Sequence, residues 1–209
     1  LGAGGLPPGT EAVPGMKLQG PVPAAARALL GQLLVREEVA LRITEVEAYG
    51  GPGDSASHAR HGRTGRNAPM WGPPGRAYLY FCYGMHWMLN VVAEPEGKAA
   101  AVLIRGAEVA SGLDTVLARR KAARATPLLC AGPGKVAQAL GLDKRFDGHD
   151  LLSPGGLELH PGPPPAAILA GPRLGIGFAS AEDQALPWRF ADGGSSAVLK
   201  KRELAPWER

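Results

Sequence analysis

Two glutamates and a tyrosine alternate along a short apolar stretch, at Glu45, Glu47 and Tyr49. Residues two apart in a strand point to the same side, so this spacing predicts one acidic strand face. Glu47 lies where the strand meets a long polar segment, a position from which a half-buried carboxylate can act as a general base. Glu45 taken alone is interpreted as part of an ordinary solvated face. The pattern therefore predicts acid–base chemistry centred on Glu47.

Three tyrosines occur within six residues in the run 78–83. Tyr78 and Tyr80 share one face of the predicted strand, whereas Phe81 on the other face is interpreted as a core residue. A buried tyrosine hydroxyl needs a hydrogen-bond partner, so packing alone does not account for several tyrosines together. They favour the wall of a pocket on which a flat base could stack.

The turn that follows contains Tyr83, Gly84 and Met85. Two large apolar side chains beside a glycine hinge could form a wedge of the kind that kinks duplex DNA.

Asn90 and Arg105 each lie within an apolar strand pattern. Asparagine is unfavourable in strands and buried arginine is rare, so each indicates a specific partner. For Asn90 alone, a structural hydrogen bond is an equally good interpretation.

The segment 50–75 is rich in glycine, proline and arginine and carries His58, Arg63 and Arg66. A connection this long within one domain is usually functional, and its charge suits a nucleic-acid backbone. A second basic cluster, at 119–124, is interpreted as solvated surface.

Gly132-Pro133-Gly134-Lys135 predicts a helix start with free backbone N–H groups and a cation. Such a start can hold a single phosphate, which makes Gly134 and Lys135 candidate DNA-backbone contacts. It lacks the full spacing of a nucleotide-triphosphate loop.

The composition, with 30 Gly and 20 Pro among 209 residues, predicts short elements joined by tight turns. A net charge of +4 gives a mild attraction to polyanions. Two cysteines and five histidines without ligand spacing predict neither a disulfide framework nor a metal site. The absence of an apolar run or a signal-like start predicts a cytoplasmic protein that does not enter membranes.

Periodicity and turn signals predict a mixed α+β fold, a curved and mostly antiparallel sheet with short helices packed around it. Residues 1–15 are interpreted as a flexible arm, and 16–209 as a single domain. Predicted helices span 24–31, 108–123 and 132–140, and predicted strands span 32–35, 39–47, 77–82, 86–93, 100–105, 157–160, 173–178 and 188–190.

These residues resemble the motifs of one family, the alkyladenine (3-methyladenine) DNA glycosylases of animals and many bacteria. The resemblance covers about residues 24–190 and combines several motifs that are weak singly and specific together. They are Glu47-Ala48-Tyr49 with His58 eleven positions after Glu47, Tyr80-x-x-Tyr83-Gly84-Met85, Asn90, Leu103-Ile104-Arg105, and Gly132-Pro133-Gly134-Lys135.

The resemblance implies a monomeric enzyme that needs no cofactor and excises damaged purines from double-stranded DNA, such as 3-methyladenine, 7-methylguanine, hypoxanthine and ethenoadenine. Glu47 resembles the general base that activates water, and Arg105 resembles the residue that helps to hold that water.

The same resemblance implies roles for the aromatic residues and for Asn90. Tyr49, His58 and Tyr80 resemble the walls around a flipped base, and His58 is also a candidate for hydrogen bonding to it. Tyr83 resembles the wedge that fills the gap in the duplex, and Asn90 the residue that crowds the exocyclic amine of normal guanine.

Lys135 leaves a second mechanism open, because glycosylases that also cleave the strand use an amine to form a Schiff base. A lysine at a helix start is better interpreted as a phosphate contact, which predicts a monofunctional glycosylase.

Two further classes of function are compatible with parts of the pattern. A non-catalytic minor-groove binder would use the same wedge and basic loop but leaves Glu47 and Arg105 unexplained. An enzyme acting on nucleosides or RNA would need neither the wedge nor the loop.

Overall fold

The computed structural model describes residues 18–122 and 124–208, so the predicted arm at residues 1–15 lies outside the described residues. The α-helices are α1 (Val22–Leu29), α2 (Leu113–Arg120), α3 (Pro133–Ala139) and α4 (Ala181–Ala185). The strands are β1 (Leu33–Arg36), β2 (Val39–Tyr49), β3 (Ala77–Cys82), β4 (His86–Val92), β5 (Ala101–Ser111), β6 (Cys130–Ala131), β7 (Glu158–His160), β8 (Ile168–Gly171), β9 (Arg189–Asp192) and β10 (Ala205–Pro206). No described helix is long and apolar enough to span a membrane.

All ten strands belong to one open sheet whose central order is β10-β8-β9-β2-β5-β4-β3. Every strand pair is antiparallel. β1 lies between β2 and β7 and pairs with both, and β6 pairs with β5 at Gly106 and Ala107. The predicted fold class, a mixed α+β domain on an antiparallel sheet, is confirmed.

The two faces of the sheet have different coverings. One face carries alternate residues such as Val46 and Ala48 into the main apolar core, against which α1 and α3 pack. The other face turns Glu47 and Tyr49 towards the long segment after β2 and the loop after β8. Side chains alternate between the two faces along a strand. Core residues of β2, such as Val46 and Ala48, therefore alternate with the residues that could do chemistry, Glu47 and Tyr49.

The predicted helix at 108–123 is wrong at its start, because β5 continues to Ser111 opposite β2. Gly112 marks the boundary with a φ of +73°, and a Cβ there would lie 2.7 Å from the carbonyl oxygen of Glu38. Only glycine fits such a close approach at positive φ, so the chain turns there and α2 begins at Leu113.

The predicted strand at 173–178 is also wrong, since these residues form an irregular loop between β8 and α4. Gly175 has a φ of +74°, which is incompatible with an extended strand. Strand β8 was not predicted, because its four residues follow a proline-rich loop without clear alternation.

Candidate active site

A cavity of about 360 Å³ opens on the sheet face that carries Glu47 and Tyr49. Its walls come from β2, β3, β4 and β5, from the segment after β2, and from the loop after β8. The lining residues are Tyr49, Ala56, His58, Arg66, Met70, Tyr78, Tyr80, Cys82, Tyr83, Met88, Asn90, Ala101, Leu103, Arg105, Pro133, Leu174, Gly175, Ile176 and Phe178.

Strand register explains why residues distant in sequence meet here. Glu47 is paired with Leu103, Leu103 with Asn90, and Asn90 with Tyr78. Directly paired residues share a face of the sheet, so these four positions form one row across β2, β5, β4 and β3. Asn90 donates to the Tyr78 carbonyl oxygen at 3.0 Å, the structural hydrogen bond that the sequence left open.

Glu47 is fully buried and its carboxylate accepts three hydrogen bonds. The donors are the Tyr49 hydroxyl at 2.8 Å, Arg105 Nη1 at 3.2 Å and the Leu174 amide at 2.7 Å. Burial, followed by the charge of Glu47, holds the pKa of Tyr49 well above its ordinary value. Tyr49 therefore stays protonated and keeps donating, and the carboxylate lies just behind the cavity wall that Tyr49 and Arg105 form.

Arg105 reaches this carboxylate because of an irregularity in β5. Val46 pairs with Ile104 and Glu45 with Gly106, so Arg105 is an extra residue in a β-bulge. A Cβ at Gly106 would lie 2.8 Å from the Ala197 carbonyl oxygen, which explains the glycine beside the bulged residue. Burial lowers the pKa of Arg105, but the charges of Glu47 and Glu45 outweigh that effect and raise it.

Glu45 is not on a solvated face, and its interpretation from the sequence is wrong. It is fully buried, and it accepts hydrogen bonds from Arg105 Nε at 3.2 Å, Arg189 Nη1 at 3.4 Å and the Leu199 amide at 3.0 Å. The group of two carboxylates and two guanidiniums is called the polar floor below; its members are Glu45, Glu47, Arg105 and Arg189. Their formal charges cancel, as a buried cluster requires.

Aromatic rings form the opposite part of the cavity. His58 meets Tyr80 edge to face, with ring centroids 4.5 Å apart, and His58 Nδ1 lies 3.0 Å from the Tyr78 hydroxyl. Burial raises the pKa of Tyr78 to about 12 and also raises that of Tyr80, so both hydroxyls stay protonated. Burial, followed by the charges of nearby arginines, lowers the pKa of His58. At neutral pH these three rings are therefore uncharged.

The turn between β3 and β4 projects two apolar side chains into solvent. Tyr83 is 87% exposed and Met85 is 68% exposed. Tyr83 and Gly84 both have positive φ, +52° and +67°, a combination for which hairpin turns normally use Asn-Gly. An exposed tyrosine in this strained conformation is difficult to explain by folding. These three residues, 83–85, are called the hairpin tip below.

Phe81 is not a core residue as the sequence suggested. It is 46% exposed, and its ring centroid lies 5.0 Å from that of Trp87, the residue paired with it across the hairpin. The β3–β4 hairpin extends beyond the layer that covers the main core, so its outer face loses the expected burial.

A buried ion pair holds the loop after β8 against the segment after β2. Arg173 donates to both Asp54 oxygens, at 2.7 and 2.9 Å, and to the Ala48 carbonyl oxygen at 3.0 Å. Its guanidinium also lies 4.9 Å from the Tyr49 ring centroid. The next residue, Leu174, donates to Glu47, so this pair positions one of the three hydrogen bonds to the carboxylate.

Arg66 and Arg63 occupy different places around the cavity. Arg66 is a lining residue whose guanidinium lies 5.9 Å from the Tyr80 ring centroid. Arg63 is exposed and does not line the cavity.

The predicted helix start at residues 132–135 is present as the first turn of α3. Pro133 lines the cavity, whereas Gly134 and Lys135 do not. Lys135 Nζ donates to the Leu128 carbonyl oxygen at 3.2 Å. The predicted DNA-backbone roles of Gly134 and Lys135 stay predictions.

The structure thus brings Tyr49, His58, Tyr80, Tyr83, Asn90 and Arg105 to one cavity, with Glu47 directly behind it. Sequence reasoning missed Glu45, Arg189 and the Arg173–Asp54 pair. Arg189 stands between Trp188 and Phe190, so the argument that flagged Arg105, an arginine in an apolar strand, would have found it. Within residues 18–122 and 124–208, no three His, Cys, Asp or Glu side chains are grouped as metal ligands.

Comparison with known proteins identifies the family. The family model for methylpurine-DNA glycosylase matches residues 16–196. A protein of Nitrosococcus oceani, provisionally named a 3-methyladenine DNA glycosylase, is 54% identical over 178 residues, covering 85% of this chain and 88% of its own length. A DNA-3-methyladenine glycosylase of Arabidopsis thaliana is 52% identical over 164 residues, covering 78% of this chain and 64% of its own length. The predicted resemblance is confirmed: the chain belongs to the methylpurine-DNA glycosylase family.

Proposed function

We propose that the protein removes damaged purines from double-stranded DNA by hydrolysing the bond between base and deoxyribose, leaving an abasic site. The observation that carries the proposal is the Glu47–Arg105 pair, buried directly behind a cavity walled by neutral aromatic rings. Its volume of about 360 Å³ lies within the usual range of small-ligand sites, which favours one extruded base over a length of duplex.

The base would enter between His58, Tyr80 and Tyr49. A base within a duplex hides its glycosidic bond, and extruding it costs a few kcal/mol, less for a damaged or mispaired base. Stacking on aromatic rings contributes about 1–3 kcal/mol per base, which offsets much of that cost. The exposed Tyr83 would fill the gap left in the duplex.

Glu47 would then take a proton from the attacking water. As the base departs with the electron pair of the glycosidic bond, the sugar gains oxocarbenium character, which a nearby carboxylate stabilises. Water adds to the sugar carbon and its proton goes to Glu47. The Arg105 guanidinium, fixed by two carboxylates, would hold that water through Nη2, which makes no hydrogen bond within the described residues.

A monofunctional reaction fits the cavity composition. No lysine is among the lining residues that the structure describes, and Lys135 is bonded to a carbonyl oxygen outside the cavity. Alkylated purines carry a positive charge and leave without protonation, so they need no additional acid. Arg63, Arg66 and the start of α3 would contact the DNA backbone.

Single-turnover release of ethenoadenine or hypoxanthine from a duplex oligonucleotide tests the proposal. We expect release by the wild type and a decrease of about 10²–10⁴-fold in Glu47→Gln, with binding to the duplex retained. Glu158→Gln is a matched control, because it makes the same change on β7, away from the cavity. Tight binding by the wild type without release of these bases or of 3-methyladenine would favour the non-catalytic binder. Equal release from nucleosides and duplex would favour the nucleoside enzyme.

A further inference from the structure

Glu45 is a second buried carboxylate that the proposed reaction does not use. It stands two residues before Glu47 on β2, and both side chains contact the same guanidinium. Burying two like charges this close together is unfavourable unless something compensates them. The positive charges of Arg105 and Arg189 compensate them. Glu45 contacts both guanidiniums, whereas Glu47 contacts only that of Arg105 among the described residues.

Arg189 contacts Glu45 although its position in the sheet is beside Glu47. On β9 it is paired directly with Glu47, so its side chain leaves the sheet on the same face. Its guanidinium nevertheless binds Glu45 at 3.4 Å and the Leu199 carbonyl oxygen at 3.2 Å. The buried Nε and Nη2 atoms of Arg189 have no hydrogen-bond partner among the described residues. Glu203 Oε2 lies 3.8 Å from Nη2, so Glu45, Leu199 and Glu203 together hold this guanidinium away from Glu47.

Arg105 is divided between the two carboxylates. Its Nε donates to Glu45 and its Nη1 to Glu47, whereas Nη2 makes no hydrogen bond within the described residues and Arg105 lines the cavity. Without the bond at Nε, the planar guanidinium is free to rotate and meet Glu47 with two nitrogens, the geometry that arginine prefers with carboxylates. Glu45 prevents that arrangement.

We propose that Glu45 is a positioning residue for the base-release reaction: it retains Arg189 and the Nε of Arg105, and so leaves Glu47 with one guanidinium contact. This inference rests on the proposed function. Its consequence is that Glu47 stays able to accept a proton, whereas a carboxylate bound by two guanidiniums would be a much weaker base.

Charged and titratable groups face Glu47 from every neighbouring element. They are Glu45 and Tyr49 on β2, Arg105 on β5, Arg189 on β9, Tyr80 on β3, and the Arg173–Asp54 pair behind Tyr49. Tyr49 and Tyr80 stay protonated, and the Arg173–Asp54 pair is neutral overall. Glu45 is therefore the negative charge nearest to the guanidinium that Glu47 contacts, and its removal leaves Arg105 and Arg189 facing Glu47 alone on this side.

The test is the pH dependence of single-turnover release of 7-methylguanine from a duplex, because this cationic base leaves without protonation. In Glu45→Gln we expect the plateau rate to fall about 10²-fold, as for other displaced catalytic groups. We expect the acid limb of the rate profile to move to lower pH, because the guanidiniums that Glu45 compensates would then act on Glu47 alone. A purely structural role would reduce the fraction of folded protein without moving the limb.

A second variant covers the possibility that the buried Arg189, left without Glu45, prevents Glu45→Gln from folding. The double variant Glu45→Gln, Arg189→Gln removes both charges and keeps the cluster neutral. Its plateau should stay low, because Arg105 still lacks its anchor, and its limb should lie between those of the wild type and Glu45→Gln. Glu158→Gln serves as the control.

Two results would overturn the assignment and are distinguishable from failure of the proposed function. An active wild type, with either Glu45 variant retaining the plateau and limb of the wild type, would show that Glu45 has no role in positioning. An acid limb that moves to higher pH would contradict the proposal that Glu45 keeps guanidiniums away from Glu47. Failure of the wild type to release any base would overturn the proposed function itself, and the assignment of Glu45 with it.

Discussion

The polar floor and the hairpin tip, two regions that meet at one cavity, are built in opposite ways. The floor is buried, and Glu47 and Glu45 are each held by three donors from separate parts of the chain. At the tip, Tyr83 and Met85 are exposed, and Tyr83 has a backbone conformation that a tyrosine rarely adopts. Groups that must keep one geometry for chemistry are fixed by the fold, whereas groups that must meet a large partner are left uncovered.

The largest expected effect comes from breaking the buried support of the floor. Arg173→Met leaves Asp54 buried without its partner, so the free energy of unfolding should fall by about 3–5 kcal/mol, measured by denaturant titration. Base release should also fall, because the Leu174 amide loses its position at Glu47. Arg145→Met is the matched control, since it breaks an exposed pair with Asp143 and should leave stability unchanged. Equal stability in the two variants would contradict a supporting role for Arg173.

Tyr83→Asn should affect stability and base release in opposite directions, which would distinguish the role of the hairpin tip from that of the polar floor. Asn-Gly is the preferred pair for this turn, so the free energy of unfolding should rise by about 1 kcal/mol as strain is relieved. Release from duplex DNA should fall about tenfold or more because the stacking contact is lost, whereas release from a single-stranded oligonucleotide should change little. A loss of stability together with unchanged release would show that the tip serves folding rather than DNA.

Arg63→Ala should have a smaller, electrostatic effect. Arg63 is exposed, and we predict that it contacts one phosphate. The affinity for lesion-containing and undamaged duplexes should weaken alike, and the slope of log affinity against log salt should decrease by about one. Glu96→Ala, which changes an exposed charge of the opposite sign, should not reduce the slope. Selective loss of lesion binding would instead place Arg63 at the base.

The smallest expected effect is a lowered pKa of His58. Burial and, secondarily, Arg66 and Arg60 lower the pKa of His58, so its NMR titration midpoint should lie below the ordinary histidine value of about 6.5. The unfolded chain takes up this proton at a higher pH than the folded chain. The resulting contribution to stability is therefore full above about pH 6.5 and is lost as the pH falls through the folded midpoint. Arg66→Gln should raise the midpoint only in part, since burial is the larger cause. A midpoint above 6.5 would contradict this.

Much of the site could be predicted because strand alternation is a local signal. The spacing of Glu47 and Tyr49, and of Tyr78 and Tyr80, placed each pair on one face, and the structure confirms both placements. The unusual context of Arg105 correctly indicated a specific partner.

What could not be predicted depends on contacts between distant parts of the chain. Glu45 was assigned to solvent because nothing near it in sequence shows that β9 brings Arg189 to the same face. Arg173 was placed in a strand because its bond to Asp54 joins positions 119 residues apart. Phe81 was assigned to the core because burial of a strand face depends on how far the hairpin extends beyond its covering layer.

The most direct test of the account is to follow ethenoadenine fluorescence and base release in parallel, in one duplex, with the wild type and Glu47→Gln. If the aromatic wall of Tyr49, His58 and Tyr80 binds the extruded base and the polar floor performs hydrolysis, Glu47→Gln should give the fluorescence change of the wild type, because the base still leaves the stack. The variant should release almost nothing. If Glu47→Gln loses the fluorescence change along with release, Glu47 is needed to bind the base. That result would contradict the division between base binding by the aromatic wall and hydrolysis by the polar floor.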